Sequence, residues 1–229
     1  MADSLQPRVH VLFDLDGVLL DTEPLYTQAA QSIVGRFGKT YDWSIKQHTM
    51  GRDARVGATL VVERLEIPMT VDEYLEEQKV LLSRLLVGAP AKSGAEAFVR
   101  SLGARGIPMA VATSSNRWLF DLKARGHRWF DAFQAVVCGD DARVRSKKPA
   151  PDIFLAAAMD LGAAPEECVV FEDSIAGLEA ALAAGMRAIL IPDPALDWAA
   201  FGAAHRIIEA FDDVSDADLE PLRSGATPR

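Results

Sequence analysis

Five short apolar runs constrain the fold of this chain more than any other feature. They are "VLF" (Val11–Phe13), "PMAVAT" (Pro108–Thr113), "AVVC" (Ala135–Cys138), "CVVFED" (Cys168–Asp173) and "RAILI" (Arg187–Ile191). Their apolar residues are nearly continuous, so each predicts a strand covered on both faces, as in a parallel sheet. Between them, "GAEAFVRSLGARG", "DIFLAAAMDLG" and "IAGLEAALAAG" read as helices, each closing on a glycine suited to end one. Strand and helix in alternation predict an α/β fold with a doubly wound parallel sheet.

The stretch from about Pro24 to Val87 breaks this rhythm. It carries helical patterns with charged faces, such as "TVDEYLEEQKVLLSRLL", and no buried strand. A helical module is therefore inserted after the first strand, and "VGAPAKSG" (Val87–Gly94) marks its exit. The division expected is an α/β core of residues 1–22 and 88–229 with a helical domain of 23–87. Tyr41 and Trp43 are expected to pack inside that insert, with lining an aromatic wall for a ligand as the alternative. The last dozen residues, "DLEPLRSGATPR", are expected to fray.

In an open α/β sheet, ligands gather beyond the carboxyl ends of the strands. After the first run come Asp14 and Asp16, with Gly17 for a sharp turn and Asp21 and Glu23 close behind. The second run ends in Thr113, Ser114, Ser115 and Asn116, and the fourth in Glu172, Asp173 and Ser174. Between strands, "RSKKPAPD" puts Lys147 and Lys148 before a proline turn. Singly, these residues read as helix caps or solvated charges. Together they supply carboxylates for a hard cation, hydroxyl and N–H donors for an anion, and a lysine to bridge the two. Crowded carboxylates repel one another unless a cation sits among them, and Mg²⁺ takes a few carboxylate oxygens, waters and a substrate phosphate.

The net charge of −9 argues against nucleic acid or an anionic membrane as partner, but a local cation can still recruit a small phosphorylated molecule. No apolar run reaches membrane-spanning length, and the first residues lack the basic and apolar blocks of a signal peptide, so a cytoplasmic address is expected. The two cysteines, Cys138 and Cys168, lie in apolar runs and read as buried thiols. The four histidines lack the spacing of a metal site.

The motifs Asp14-Leu15-Asp16-Gly17-Val18, Thr113, Lys148 before Pro149, and Glu172-Asp173, in that order, resemble those of the haloacid dehalogenase superfamily. The resemblance implies that the insert is a cap closing over the site, and that the reaction is Mg²⁺-dependent phosphoryl transfer through an aspartyl-phosphate. Asp14 would be the nucleophile and Asp16 the general acid, later the base toward water. Thr113, Ser114 and Lys148 would hold the phosphate, Asp14, Asp16, Glu172 and Asp173 the metal, and Lys147 would face solvent. Ser174 and Asn116 would either support the site or cap helices. "FDLDGVLLDTEPLY", "MGRDA", "GIPMAVATSSN", "FDLK" and "GDDARV" look most like the branch containing pseudouridine 5′-phosphatase and the eukaryotic glycerol-3-phosphatases. That branch usually has Arg-His after the FDLK stretch, whereas "KARGHRWF" sets Gly126 before His127.

The same resemblance implies a monomer acting on a small phosphorylated metabolite, with pseudouridine 5′-phosphate favoured and glycerol 3-phosphate or a sugar phosphate as the alternatives. The related β-phosphoglucomutase has a histidine four residues after the Asp-Thr of its first loop, where this chain has Tyr26, which favours hydrolysis over transfer. Glu23, Tyr26, Met50, Gly51 and Arg52 are the candidate substrate contacts of the insert. A phospho-accepting receiver shares the acidic pocket, hydroxyl and lysine, but not the Asp-x-Asp pair or the inserted helices. A non-catalytic binding protein on the same fold is the third reading.

Overall fold

The computed structural model describes residues 9–49 and 54–222. Six parallel strands form one sheet: β1 (His10–Phe13), β2 (Met109–Thr113), β3 (Ala135–Cys138), β4 (Cys168–Glu172), β5 (Arg187–Leu190) and β6 (Arg206–Ile207), in the order β3-β2-β1-β4-β5-β6. The α/β class expected from the apolar runs is thus present. The two-residue β6, too short to give a pattern, was not foreseen.

Side chains on these strands alternate between two buried clusters. Val11, Phe13, Val111, Val169, Phe171 and Ile189 lie on one face; Leu12, Ala110, Ala112, Val170, Ala188 and Leu190 lie on the other. Covering both faces is why the strands read as unbroken apolar runs. Phe13 stacks on Phe171 at 5.2 Å, with Phe98 and Phe133 packed edge-on against Phe13. Each such ring contributes about 1.5–3 kcal/mol by leaving water. Helices α5 (Ala95–Ala104), α6 (Arg117–Lys123), α7 (Asp152–Leu161) and α8 (Ile175–Ala183) complete the layers, numbered after the four helices of the insert. Cys138 and Cys168 are free and buried.

Those four are α1 (Glu23–Val34), α2 (Trp43–Thr49), α3 (Ala54–Arg64) and α4 (Val71–Leu85). Their shared interior is Ile33, Val34, Ile45, Ala58, Val61, Ile67 and Tyr74. Thr70 starts α4 with a reciprocal capping box to Glu73. Tyr41 joins this cluster as expected, but Trp43 does not: it opens α2 and is 36% exposed. A second cluster of Ala29, Leu82, Leu86 and Leu122 packs the helical unit against α6. The chain passes into and out of this unit side by side, for Asp21 N–H donates to Pro90 O at 2.8 Å and Leu20 pairs with Ala91.

Among the described residues no helix is long and apolar enough to cross a membrane. The expectation of a frayed last dozen needs correction for its first five residues. Asp218 is buried and accepts from Arg206 and from Ser215, and Leu222 N–H donates to Glu166 O. The Arg206 and Glu166 partners lie far along the chain, so local polarity did not reveal them. Residues 223–229 lie outside the described residues.

Candidate active site

The sheet order reverses direction at β1, where β2 lies on one side and β4 on the other, and it is beyond the strand ends at such a point that an open α/β sheet gathers ligands. Register then decides which residues meet. β1 pairs Phe13 with Phe171 and with Val111, so Asp14 and Glu172 come side by side at the carboxyl edge, with Thr113 at the end of β2. The Asp14 N–H is held by Phe171 O at 3.0 Å.

Lys148 enters from the loop before α7 and joins two of these carboxylates. Its Nζ donates to Asp14 Oδ1 at 2.5 Å and to Glu172 Oε1 at 2.6 Å, with Ala112 O at 3.3 Å. Lys147 is exposed, as expected. Glu172 is almost wholly buried, and its second oxygen accepts from Asp173 N–H, Ser174 N–H and Ser174 Oγ, each at 2.9 Å. Ser174 Oγ in turn accepts from Gly177 N–H, so Ser174 both caps α8 and supports Glu172. A Cβ at Gly177 would lie 1.8 Å from the Glu172 carboxyl carbon, which is why only glycine fits this first turn.

Burial pushes the Asp14 carboxyl up to about 7; Lys148 opposes this, while Glu172 and Asp16 reinforce it. Asp173 is pushed well above the usual carboxylate range by burial and then by Glu172 and Asp14. Among the described residues nothing donates a hydrogen bond to its carboxylate, and Gly17, at φ +80°, gives way to it: a Cβ there would lie 2.0 Å from Asp173 Oδ2.

A different cation serves Asp16. Lys123, the last residue of α6 and fully buried, donates to both Asp16 oxygens at 2.6 and 2.7 Å and to Ser115 Oγ at 2.8 Å. Thr22 Oγ1 donates to Asp16 Oδ1 at 2.6 Å, and Ser115 Oγ to Oδ2 at 3.1 Å. Burial would raise the Asp16 carboxyl, but Lys123 and these hydrogen bonds outweigh it and hold the group below its ordinary value. Thr113 Oγ1 accepts from Ser115 N–H at 3.1 Å, and Ser114 is exposed at the rim. Asn116 caps α6 through Leu119 N–H, so of its two expected roles it takes the cap.

The helical unit closes one side. Tyr26 of α1 presents its ring 5.3 Å from Lys123 Nζ, and burial with the nearby Asp16 pushes its hydroxyl up to about 12. Glu23 pairs with Lys46 at 3.4 Å, and Tyr41 shares a hydrogen bond with Thr49. Met50, Gly51 and Arg52 lie outside the described residues.

The structure therefore brings together Asp14, Asp16, Thr113, Lys148, Glu172 and Asp173, which the sequence singled out. Sequence reasoning missed Thr22, Lys46 and above all Lys123; it named Ser115 as an anion donor, whereas its hydroxyl meets Asp16. The FDLK stretch held the signal, but a lysine ending a helix ordinarily reads as a solvated complement to the helix dipole. Among the described residues no three Asp, Glu, His or Cys side chains form a ready-made metal cage. The donors that remain are all oxygen: the carboxylates of Asp14 and Asp173 and the neutral backbone carbonyl of Asp16. That set fits a hard cation that keeps waters and a substrate oxygen in its shell. Both Glu172 oxygens are already engaged, which suits it to holding Lys148 and the β4 loop.

The family model for haloacid dehalogenase-like hydrolases matches residues 9–185. A Drosophila melanogaster protein named probable pseudouridine-5′-phosphatase is 41% identical over 98% of this chain and 97% of its own length. (DL)-glycerol-3-phosphatase 2 of Arabidopsis thaliana is 39% identical over 96% and 92%. Among solved structures, a haloacid dehalogenase family hydrolase from Deinococcus radiodurans with bound phosphate and sodium superposes at a TM-score of 0.79, with 29% identity over 95% of this chain and 99% of that one.

Proposed function

Since the chain belongs to the haloacid dehalogenase-like hydrolase family, we propose that it hydrolyses a small phosphomonoester through an aspartyl-phosphate on Asp14. One observation carries the reading: Lys148 bridges Asp14 and Glu172 at the carboxyl edge of the sheet, beside Thr113 and Asp173. A carboxylate with a neighbouring buried cation can approach an anionic phosphate that an isolated carboxylate would repel.

In this mechanism Asp14 attacks phosphorus while the Thr113 hydroxyl, the Ser114 amide and Lys148 hold the non-bridging oxygens. Asp16 hands a proton to the departing oxygen and later takes one from the water that cleaves the aspartyl-phosphate. Asp14, Asp173 and the Asp16 carbonyl would hold Mg²⁺, which when bound offsets the repulsion between nucleophile and phosphate. Glu172 keeps Lys148 and the β4 loop in place. The helical unit of residues 23–87 acts as the cap, with Glu23, Lys46 and Tyr26 facing the leaving group. We take the protein to be a cytoplasmic monomer.

Pseudouridine 5′-phosphate is the favoured substrate, supported by the relative named for it at 41% identity. Glycerol 3-phosphate is the second reading, because the Arabidopsis relative named for it is nearly as similar. Tyr26 at the mutase histidine position supports hydrolysis over transfer.

The test is Mg²⁺-dependent phosphate release from both compounds in parallel, with Asp14→Asn as control. Many turnovers on one of them, lost in the variant, are expected. Release of no more than one equivalent from either would overturn the assignment.

A further inference from the structure

The charges of the site divide between two buried lysines, and the mechanism above uses only one. Lys148 serves Asp14 and Glu172; Lys123 serves Asp16 alone among the carboxylates. A lysine with no exposed surface is costly to bury, and a buried ion pair often stabilises a fold no better than apolar residues of the same size. Lys123 therefore calls for a reason other than stability. Its surroundings supply one. Lys123 has no exposed surface, while the Asp16 side chain that it pairs with stays 26% exposed. Lys123 spans both Asp16 oxygens, Ser115 Oγ closes the triangle, and Thr22 Oγ1 fixes the oxygen Oδ1 from the start of α1. The Tyr26 ring lies over the ammonium from the same helix.

We propose that Lys123 is a positioning residue that fixes the carboxylate of Asp16 toward the leaving group, and that Thr22 and Tyr26 tie this orientation to the seating of the helical unit. The inference rests on the phosphomonoesterase reading and goes beyond it. In the first step an Asp14 oxygen bonds to phosphorus and the bond from phosphorus to the leaving oxygen breaks. The electron pair of that bond stays on the leaving oxygen, which takes the proton that Asp16 acquires from solvent once the anionic phosphate is seated beside it, and departs as an alcohol. Asp16 is left as the carboxylate that Lys123 spans. In the second step water oxygen bonds to phosphorus, its proton goes to that carboxylate, and the bond from phosphorus to Asp14 breaks. Esters therefore differ only in the first step, where an alcohol needs the Asp16 proton and an aryl oxide does not, while the second step draws on Asp16 for every ester.

Lys123→Met keeps the length and apolar stem and removes the ammonium. Two probes separate its effects: p-nitrophenyl phosphate, whose aryl oxide leaves without a proton, and whichever of pseudouridine 5′-phosphate and glycerol 3-phosphate the unaltered protein turns over faster. Positioned acid–base catalysis contributes about 10²–10⁴-fold. The variant should therefore lose about 100-fold or more in kcat/KM, which reports the first step, on the alkyl ester but less than about 10-fold in kcat/KM on the aryl ester. Inhibition by inorganic phosphate should change little, since the phosphate cradle is built on Lys148 and Thr113. Equal losses in kcat/KM on both esters, or phosphate inhibition weakened in step with them, would overturn the proposal. Should Lys123→Met not fold, Ser115→Ala must give the same alkyl-selective pattern at smaller size, and a proportional loss there overturns it equally. If the unaltered protein turned over neither ester, the phosphatase reading itself would fall, a result distinct from a failed selectivity.

Discussion

Asp14→Asn should abolish phosphate release and yet make the metal-free protein more stable at alkaline pH. Asp14 is 7% exposed and shares Lys148 with Glu172, so its negative charge is both desolvated and crowded. The carboxyl stands at about 7 against an ordinary 3.8. Because the folded value is raised, the folded chain binds a proton that the unfolded chain has already lost. The stability this contributes is complete below the ordinary value and disappears as pH rises through about 7. Each pH unit in that window is worth about 1.4 kcal/mol, so the loss reaches about 4 kcal/mol. An asparagine has no proton to give up and escapes it. Lys148 keeps Glu172 as its partner, and its attraction to Asp14 is already contained in the Asp14 value. Urea unfolding of both proteins with a chelator present, at pH 5 and at pH 8, measures the effect. The stability of the variant relative to the unaltered protein should rise toward pH 8 by a few kcal/mol. Mg²⁺ should narrow that gap, since an ion that binds only the folded chain stabilises it. A difference that stays flat with pH, or a variant less stable at pH 8, would refute the picture of Asp14 as a crowded, desolvated anion.

Gly177→Ala would drive a methyl into the Glu172 carboxylate, whose nearest atoms lie 1.8 Å away. The salt bridge to Lys148 should break, and urea unfolding should register a loss of about 3–5 kcal/mol with activity gone. Gly17→Ala meets Asp173 Oδ2 at 2.0 Å and a positive φ, so calorimetric titration should find Mg²⁺ binding weakened, with kcat/KM falling alongside it. Thr70→Ala removes the capping box of α4, far from the strand ends. It should cost about 1 kcal/mol in urea unfolding while kcat/KM is preserved. Lost activity in that variant would mean that the helical unit is coupled to the site more tightly than its contacts suggest.

The β/α alternation and the candidate site residues at the strand ends were legible in the sequence because each is a local consequence of chemistry. A strand buried on both faces must be apolar throughout, and the residue after it must leave the sheet at one edge. Asp14, Thr113 and Glu172 could therefore be assigned to one place before any geometry was known. Lys123 could not, because it ends a seven-residue helix where a lysine is ordinarily solvated. The run of hydroxyls likewise did not tell that Ser115 would turn to Asp16. Trp43 was misjudged for the opposite reason: an aromatic residue in an amphipathic stretch reads as interior, yet the start of α2 turns it outward.

The sequence by itself determined the sheet, the inserted helices and which residue types meet at the strand ends, because apolar periodicity and turn residues act over a few neighbours. Tertiary structure alone decided how charge is shared there. Lys148 lies 134 residues from Asp14 and Lys123 lies 107 from Asp16. Which lysine neutralises which aspartate depends on the register of β1 against β4 and on how α6 packs beneath the helical unit. Coulomb attraction and desolvation act through space, and no spacing along the chain records them.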